Sequence, residues 1–219
     1  MKDSEIIEET IAFVKETLRG AEGGHDWFHI ERVFNTTLRL AKEEQVDLLT
    51  VSLAALLHDI ADPKFHDGDE GLGPKIALEF LSSLGVPEAT ITHVENIIIH
   101  ISFKNSLDSN KTPFSSKELH VVQDADRLDA IGAIGIARTF NYGGFKNREL
   151  YNPAIAPKLN QSKEAYKKSK APTINHFYEK LLLLKDQMNT KTGKAMAEGR
   201  HQYLLDFLEQ FYAEWKGEK

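Results

Sequence analysis

A chain of 219 residues that is 41% hydrophobic is long enough to bury one large core. With no cysteine it cannot build a disulfide, a zinc ribbon, an iron-sulfur cluster or a thiol nucleophile, so any metal must be held by histidine and carboxylate. Its formal net charge of -6 argues against a nucleic-acid scaffold, because duplex binding is led by a basic face that releases counterions.

Residues 1–20 read as an acidic amphipathic helix with Ile7, Ile11, Val14 and Leu18 on one stripe. They do not show the basic stretch and apolar core of an export signal, and no apolar run approaches the roughly 20 residues that span a bilayer. The expectation is a cytoplasmic protein with no membrane partner. After Gly24, His25, His29 and Arg32 fall at i, i+4 and i+7 of a second helix. Asp47 suits the N-cap of a third, which carries His58-Asp59 and is closed by Pro63. Pro74 suits the first turn of a helix running toward Gly85, and Pro87 the start of one holding His93 and His100.

Ser115 and Glu118 have capping-box spacing ahead of a helix over 121–140, which Gly143-Gly144 would stop. Residues 141–172 are irregular and basic, with Lys146, Arg148, Lys158, Lys163, Lys167, Lys168 and Lys170 interrupted by Pro153, Pro157 and Pro172. A solvated connector and a phosphate-attracting lid both fit that stretch. From 173 to 216 two helices are predicted, centred on Phe177, Leu181 and Leu184 and on Tyr203, Leu204, Phe207, Leu208 and Phe211. Strand alternation is scarce throughout, so the predicted fold is all-α, a single helical domain over 1–219. Phe207, Phe211, Tyr212 and Trp215 are expected to seal the core rather than form a dimer face, and oligomeric state is not readable.

The chemistry concentrates at His58-Asp59, which ends the apolar run Val51, Leu53, Ala54, Ala55, Leu56, Leu57. Ionisable groups carried into a core need partners, and an imidazole beside a carboxylate is well served by a divalent cation. Asp62 lies four residues from His58 and three from Asp59, so a helix puts it on their face. His66-Asp67 sits among glycines and acids and reads as an exposed turn. His25 and His29 have the spacing of a local chelate, although a lone helical histidine is more often simply packed or solvated. Asp124 and Asp126, two apart, point to nearly opposite sides of a helix, so one of them is expected to reach the cation.

The set His29, His58-Asp59 and Asp126 resembles the signature of the HD superfamily of metal-dependent phosphohydrolases: a histidine, a later His-Asp pair and a distal aspartate, all on helices. It is most similar to a compact bacterial subgroup, the YedJ or YpgQ type, over nearly the whole chain. The resemblance implies that His29, His58, Asp59 and Asp126 ligate one divalent ion, with manganese, cobalt, nickel, iron and magnesium all suited to nitrogen and oxygen donors. Without that ion, two carboxylates about 4 Å apart repel by about 4 kcal/mol at an effective dielectric of 20. Many nucleotide-hydrolysing relatives carry glutamate three residues after the His-Asp aspartate. Asp62 stands there in this chain and is expected to be the catalytic acid or base, the alternative being that it caps or orients His58.

The implied substrate is a small phosphate ester or anhydride. The expected reaction is attack of metal-activated water on a nucleoside or deoxynucleoside triphosphate, giving a monophosphate and pyrophosphate. Triphosphohydrolase, 5'-nucleotidase and alarmone hydrolase activities are the alternatives within the superfamily, and a non-catalytic nucleotide sensor is the alternative outside enzymology. Lys64, His100, Lys104, Arg127 and Arg138 are the candidates for substrate contact, while His93 is expected to be a packed helix histidine.

Overall fold

The computed structural model describes residues 1–21, 24–61, 69, 71–101, 114–159 and 169–219. Among these the regular structure is entirely helical, as the sequence predicts, and no described helix is long and apolar enough to cross a membrane. The chain forms two compact units, Met1–Ala125 and Asp126–Lys219, and the division falls inside one unbroken helix.

In the first unit, α1 spans Asp3–Thr17 and buries Ile6, Thr10 and Val14, a stripe turned from the predicted one, since Ile7 and Ile11 stay partly exposed. Thr10 is tolerated in that stripe because its hydroxyl donates to the Ile6 carbonyl at 2.7 Å. Helix α2, Trp27–Glu44, begins at Asp26, whose Oδ1 accepts from the His29 amide at 3.0 Å. Its buried face is His29, Ile30, Val33, Thr37 and Leu40.

Helix α3, Leu48–Leu57, is capped by Asp47 as predicted, with Thr50 N donating to Oδ1 at 2.7 Å. Every residue from Thr50 to Leu57 is buried, and α3 packs against α1, α2 and α5, so it is the central helix of this unit. Helix α4, Leu72–Ser83, has Pro74 in its first turn, and the chain leaves it through Gly85 at φ +70°. Helix α5, Glu88–His100, follows Pro87 and packs on α4. Helix α6, Lys117–Asp129, starts ahead of the predicted residue 121, and its cap lies one residue later than predicted: Ser116 rather than Ser115 accepts from the Leu119 amide, at 3.0 Å. Glu118 does not complete a capping box but accepts from the Asp47 amide at 3.1 Å, tying the start of α3 to α6.

In the second unit the predicted 121–140 helix is broken, and α7 runs over Gly132–Phe145. Gly132 takes φ +72°, and a Cβ there would lie 3.1 Å from the Arg200 side chain, so both backbone and packing call for glycine. Gly143 does not stop the helix. It lies within α7, where a Cβ would meet the Thr173 hydroxyl at 2.3 Å, so its job is close packing. Thr173 N and Ile174 N donate to the carbonyls of Glu149 and Leu150, at 2.8 and 3.0 Å.

The first predicted C-terminal helix is instead a short α8, Asn175–Glu179, followed by 3₁₀ turns over Leu181–Leu183 and Lys185–Gln187. Helix α9, Lys191–Trp215, is capped by Thr190 and packs on α7. Phe177 stacks on Phe207, Phe140 is tilted against Phe177 and edge-on to Phe207, and Tyr151 lies edge-on to Phe211, Tyr212 and Trp215. Phe207, Phe211 and Tyr212 are half-buried and Trp215 is 51% exposed, so the C-terminal aromatic run does not seal the core as expected.

Candidate metal centre

Three helices place the polar residues. The Asp26 cap fixes the backbone at His29, in the first turn of α2, and the ring of His29 is buried, 1% exposed. His58 closes α3, where its Nδ1 donates to the Ala55 carbonyl at 2.9 Å. A carbonyl can only accept, so the proton sits on Nδ1 and the lone pair sits on Nε2, which is itself buried. The His29 and His58 rings lie 5.3 Å apart between centroids, edge to face. Asp126 follows Ala125 in the same helix, α6, and His29, His58 and Asp126 each offer one ligand atom within 4.8 Å of the others.

Two imidazole nitrogens and a carboxylate oxygen, with one imidazole locked in the ligating tautomer, fit a divalent cation of borderline hardness. Asp126 rather than Asp124 joins this group, and Asp124 is fully buried. Asp59 sits beside it, with Oδ2 3.9 Å from His29 Nε2. Burial pushes the Asp59 carboxyl up, but the charge and hydrogen bond of His25, with His58 and His29 behind it, outweigh burial and hold it well below the usual carboxylate range.

His25 lies outside the group of His29, His58 and Asp126. Its Nδ1 donates to Asp59 Oδ2 at 2.5 Å, and its ring is 6.2 Å from that of His29. The i, i+4 spacing with His29 flagged it, but a bond reaching 34 residues onward is not visible in local spacing.

The other candidates are dispersed. His100 donates from Nδ1 to the Asn96 carbonyl at 2.8 Å and rests against Phe114. His93 bonds to Ser116 Oγ at 2.9 Å. Arg127 is buried and donates to the Gln187 carbonyl, and Arg138 pairs with Asp129 at 2.8 Å. Both guanidinium groups thus have structural partners. Asp62, Lys64, Lys104, the His66-Asp67 turn and residues 160–168 of the basic segment lie outside the described residues. On the flanks of that segment, Arg148 donates to the Ser169 carbonyl and Lys158 N to Glu179, at 2.8 and 2.9 Å.

A family model described as the HD domain matches residues 27–131, which span α2 through α6. YpgQ of Bacillus subtilis is 38% identical over 210 residues, covering 96% of this chain and 94% of that protein. The chain belongs to the HD family. An HD-superfamily hydrolase from Bacillus thuringiensis has a similar structure, with 43% identity, a TM-score of 0.75 and 98% and 99% of the two chains covered. A protein from Lactobacillus plantarum superposes with a TM-score of 0.86 at 38% identity, covering 99% of both chains. YpgQ has been crystallised in complex with ADP, and that structure matches at a TM-score of 0.72 and 32% identity over 97% of this chain and 100% of that one. This HD protein is a metal-dependent phosphohydrolase.

Proposed function

We propose that this HD protein hydrolyses nucleotides, with a nucleoside or deoxynucleoside triphosphate cut to a monophosphate and pyrophosphate. The observation that carries the reading is the convergence of His29, His58 and Asp126 within 4.8 Å beside the ionised Asp59. The four residues are the proposed ligands of one divalent cation. ADP bound to the related YpgQ supports a nucleotide as the class of substrate.

The bound cation supplies acidity to coordinated water and polarises a phosphoryl oxygen. The protein contributes the rest. The Ala55 bond holds the His58 ring through Nδ1, and the Asp26 cap holds the start of α2 in place. Asp59 and Asp126 offset the ion's charge, and the buried surroundings of His29 limit competing water. Asp62 is the proposed proton carrier, taking a proton from the nucleophile or giving one to the leaving oxygen. Of the candidate substrate contacts, Lys64, His100 and Lys104 remain proposed phosphate ligands.

The test strips the protein with chelator, restores manganese, cobalt, nickel or magnesium singly, and resolves the phosphorus products across a nucleotide panel. Pyrophosphate released in step with monophosphate is expected. Inorganic triphosphate, or orthophosphate from a monophosphate, would replace the proposed cleavage by one of its superfamily alternatives. Metal binding without turnover would make the protein a sensor.

A further inference from the structure

The HD family model begins at residue 27, so it assigns nothing to His25. Yet His25 donates from Nδ1 to Asp59 Oδ2 at 2.5 Å. The pair is sheltered, with side chains 17% and 16% exposed, and both residues belong to the first unit. Asp59 directly follows His58, the C-cap of α3. A carboxylate on such a residue can turn about two torsions unless something holds it. His25 lies two residues before α2, and the Asp26 cap beside it is tied to the His29 amide, so the imidazole stands on an anchored backbone.

We propose that His25 is a positioning residue, which clamps one oxygen of Asp59 and so presents the carboxylate to the cation held with His29 and His58. The proposal rests on the metal-centre reading and deepens it. His25 stands outside the ligand set, because the ligand atoms that converge are those of His29, His58 and Asp126, while its Nδ1 is directed at Asp59. Outer partners of this kind fix ligand orientation, and losing one typically weakens metal binding by about 10- to 100-fold.

The experiment compares manganese affinity and the number of histidine nitrogens coupled to the bound ion, by calorimetry and by pulsed electron paramagnetic resonance on protein carrying nitrogen-15 histidine. The proteins are wild type, His25→Ala and His25→Asn. In the Asn variant the side-chain amide keeps a donor near the position of Nδ1. His25→Ala is expected to lose about 10- to 100-fold in affinity with two coupled nitrogens unchanged, and His25→Asn to recover most of that loss. Unchanged affinity in His25→Ala would overturn the clamp while leaving the metal centre standing. Loss of one coupled nitrogen would overturn it in favour of direct ligation by His25. Wild-type protein that binds no manganese would overturn the metal centre and the clamp together.

Discussion

Asp26 and His29 are joined by a hydrogen bond from the His29 amide to Asp26 Oδ1 at 3.0 Å, so the residue that starts α2 also fixes the histidine that faces His58. Stability and ligand geometry therefore share one contact. Asp26→Ala is expected to cost about 1 kcal/mol in urea unfolding, and Asp26→Ser, which retains an N-cap acceptor, much less. Manganese affinity should fall in the same order. Equal affinity in both variants would separate the cap from the site.

Asp59 links the site to acid stability. Its carboxyl is held below the ordinary carboxylate value, so the unfolded chain binds that proton more readily than the folded one. The contribution is complete above the unfolded value of about 4 and is lost as pH falls through the lower folded value. In metal-stripped protein, Asp59→Asn should therefore flatten the acid-unfolding transition followed by circular dichroism. A transition as steep as that of the wild type would assign the acid sensitivity to other carboxylates.

Tyr212 predicts the opposite limb. Burial, then its bond to Tyr178 and the nearness of Tyr151, push its phenol well above the ordinary range. A raised value stabilises the fold below the unfolded value of about 10, and that stability is lost as pH climbs beyond it. Thermal unfolding should show a fall in Tm above about pH 10, blunted in Tyr212→Phe, which keeps the ring packing with Tyr151.

Gly143 tests close packing in the second unit. In an open helix interior, Gly→Ala stabilises by about 1 kcal/mol, but here the new Cβ would meet the Thr173 hydroxyl at 2.3 Å, where overpacking costs about 1–3 kcal/mol. Steric conflict should win, so Gly143→Ala is expected to destabilise the protein. In a Thr173→Ala background, which removes both the hydroxyl and the methyl, the same change should become neutral or stabilising. Additive effects in that double-mutant cycle would rule out the contact as the cause.

The parts of this fold legible in the sequence are those set by local chemistry. Asp47 caps α3 and Pro74 sits in the first turn of α4 because capping and proline geometry act within a few residues. The misread parts depend on residues far along the chain. Gly132 breaks the predicted 121–140 helix where the Arg200 side chain lies against it, and Gly143 serves Thr173 rather than a helix end. Ser116 outcompetes Ser115 as the cap of α6, with His93 of α5 bonded to the same hydroxyl. The candidate site divides the same way. The family pattern marks the spacing of His29, His58 and Asp126, whose ligand atoms lie within 4.8 Å of one another, whereas the link from His25 to Asp59 exists only after α2 and α3 pack.

Crystals grown with manganese and measured at its absorption edge test the central claim most directly. The predicted result is one anomalous peak bonded to ring nitrogens of His29 and His58 and to carboxylate oxygens of Asp59 and Asp126, lost in His58→Ala. A peak elsewhere in the chain, or none at full occupancy of added metal, would contradict the account.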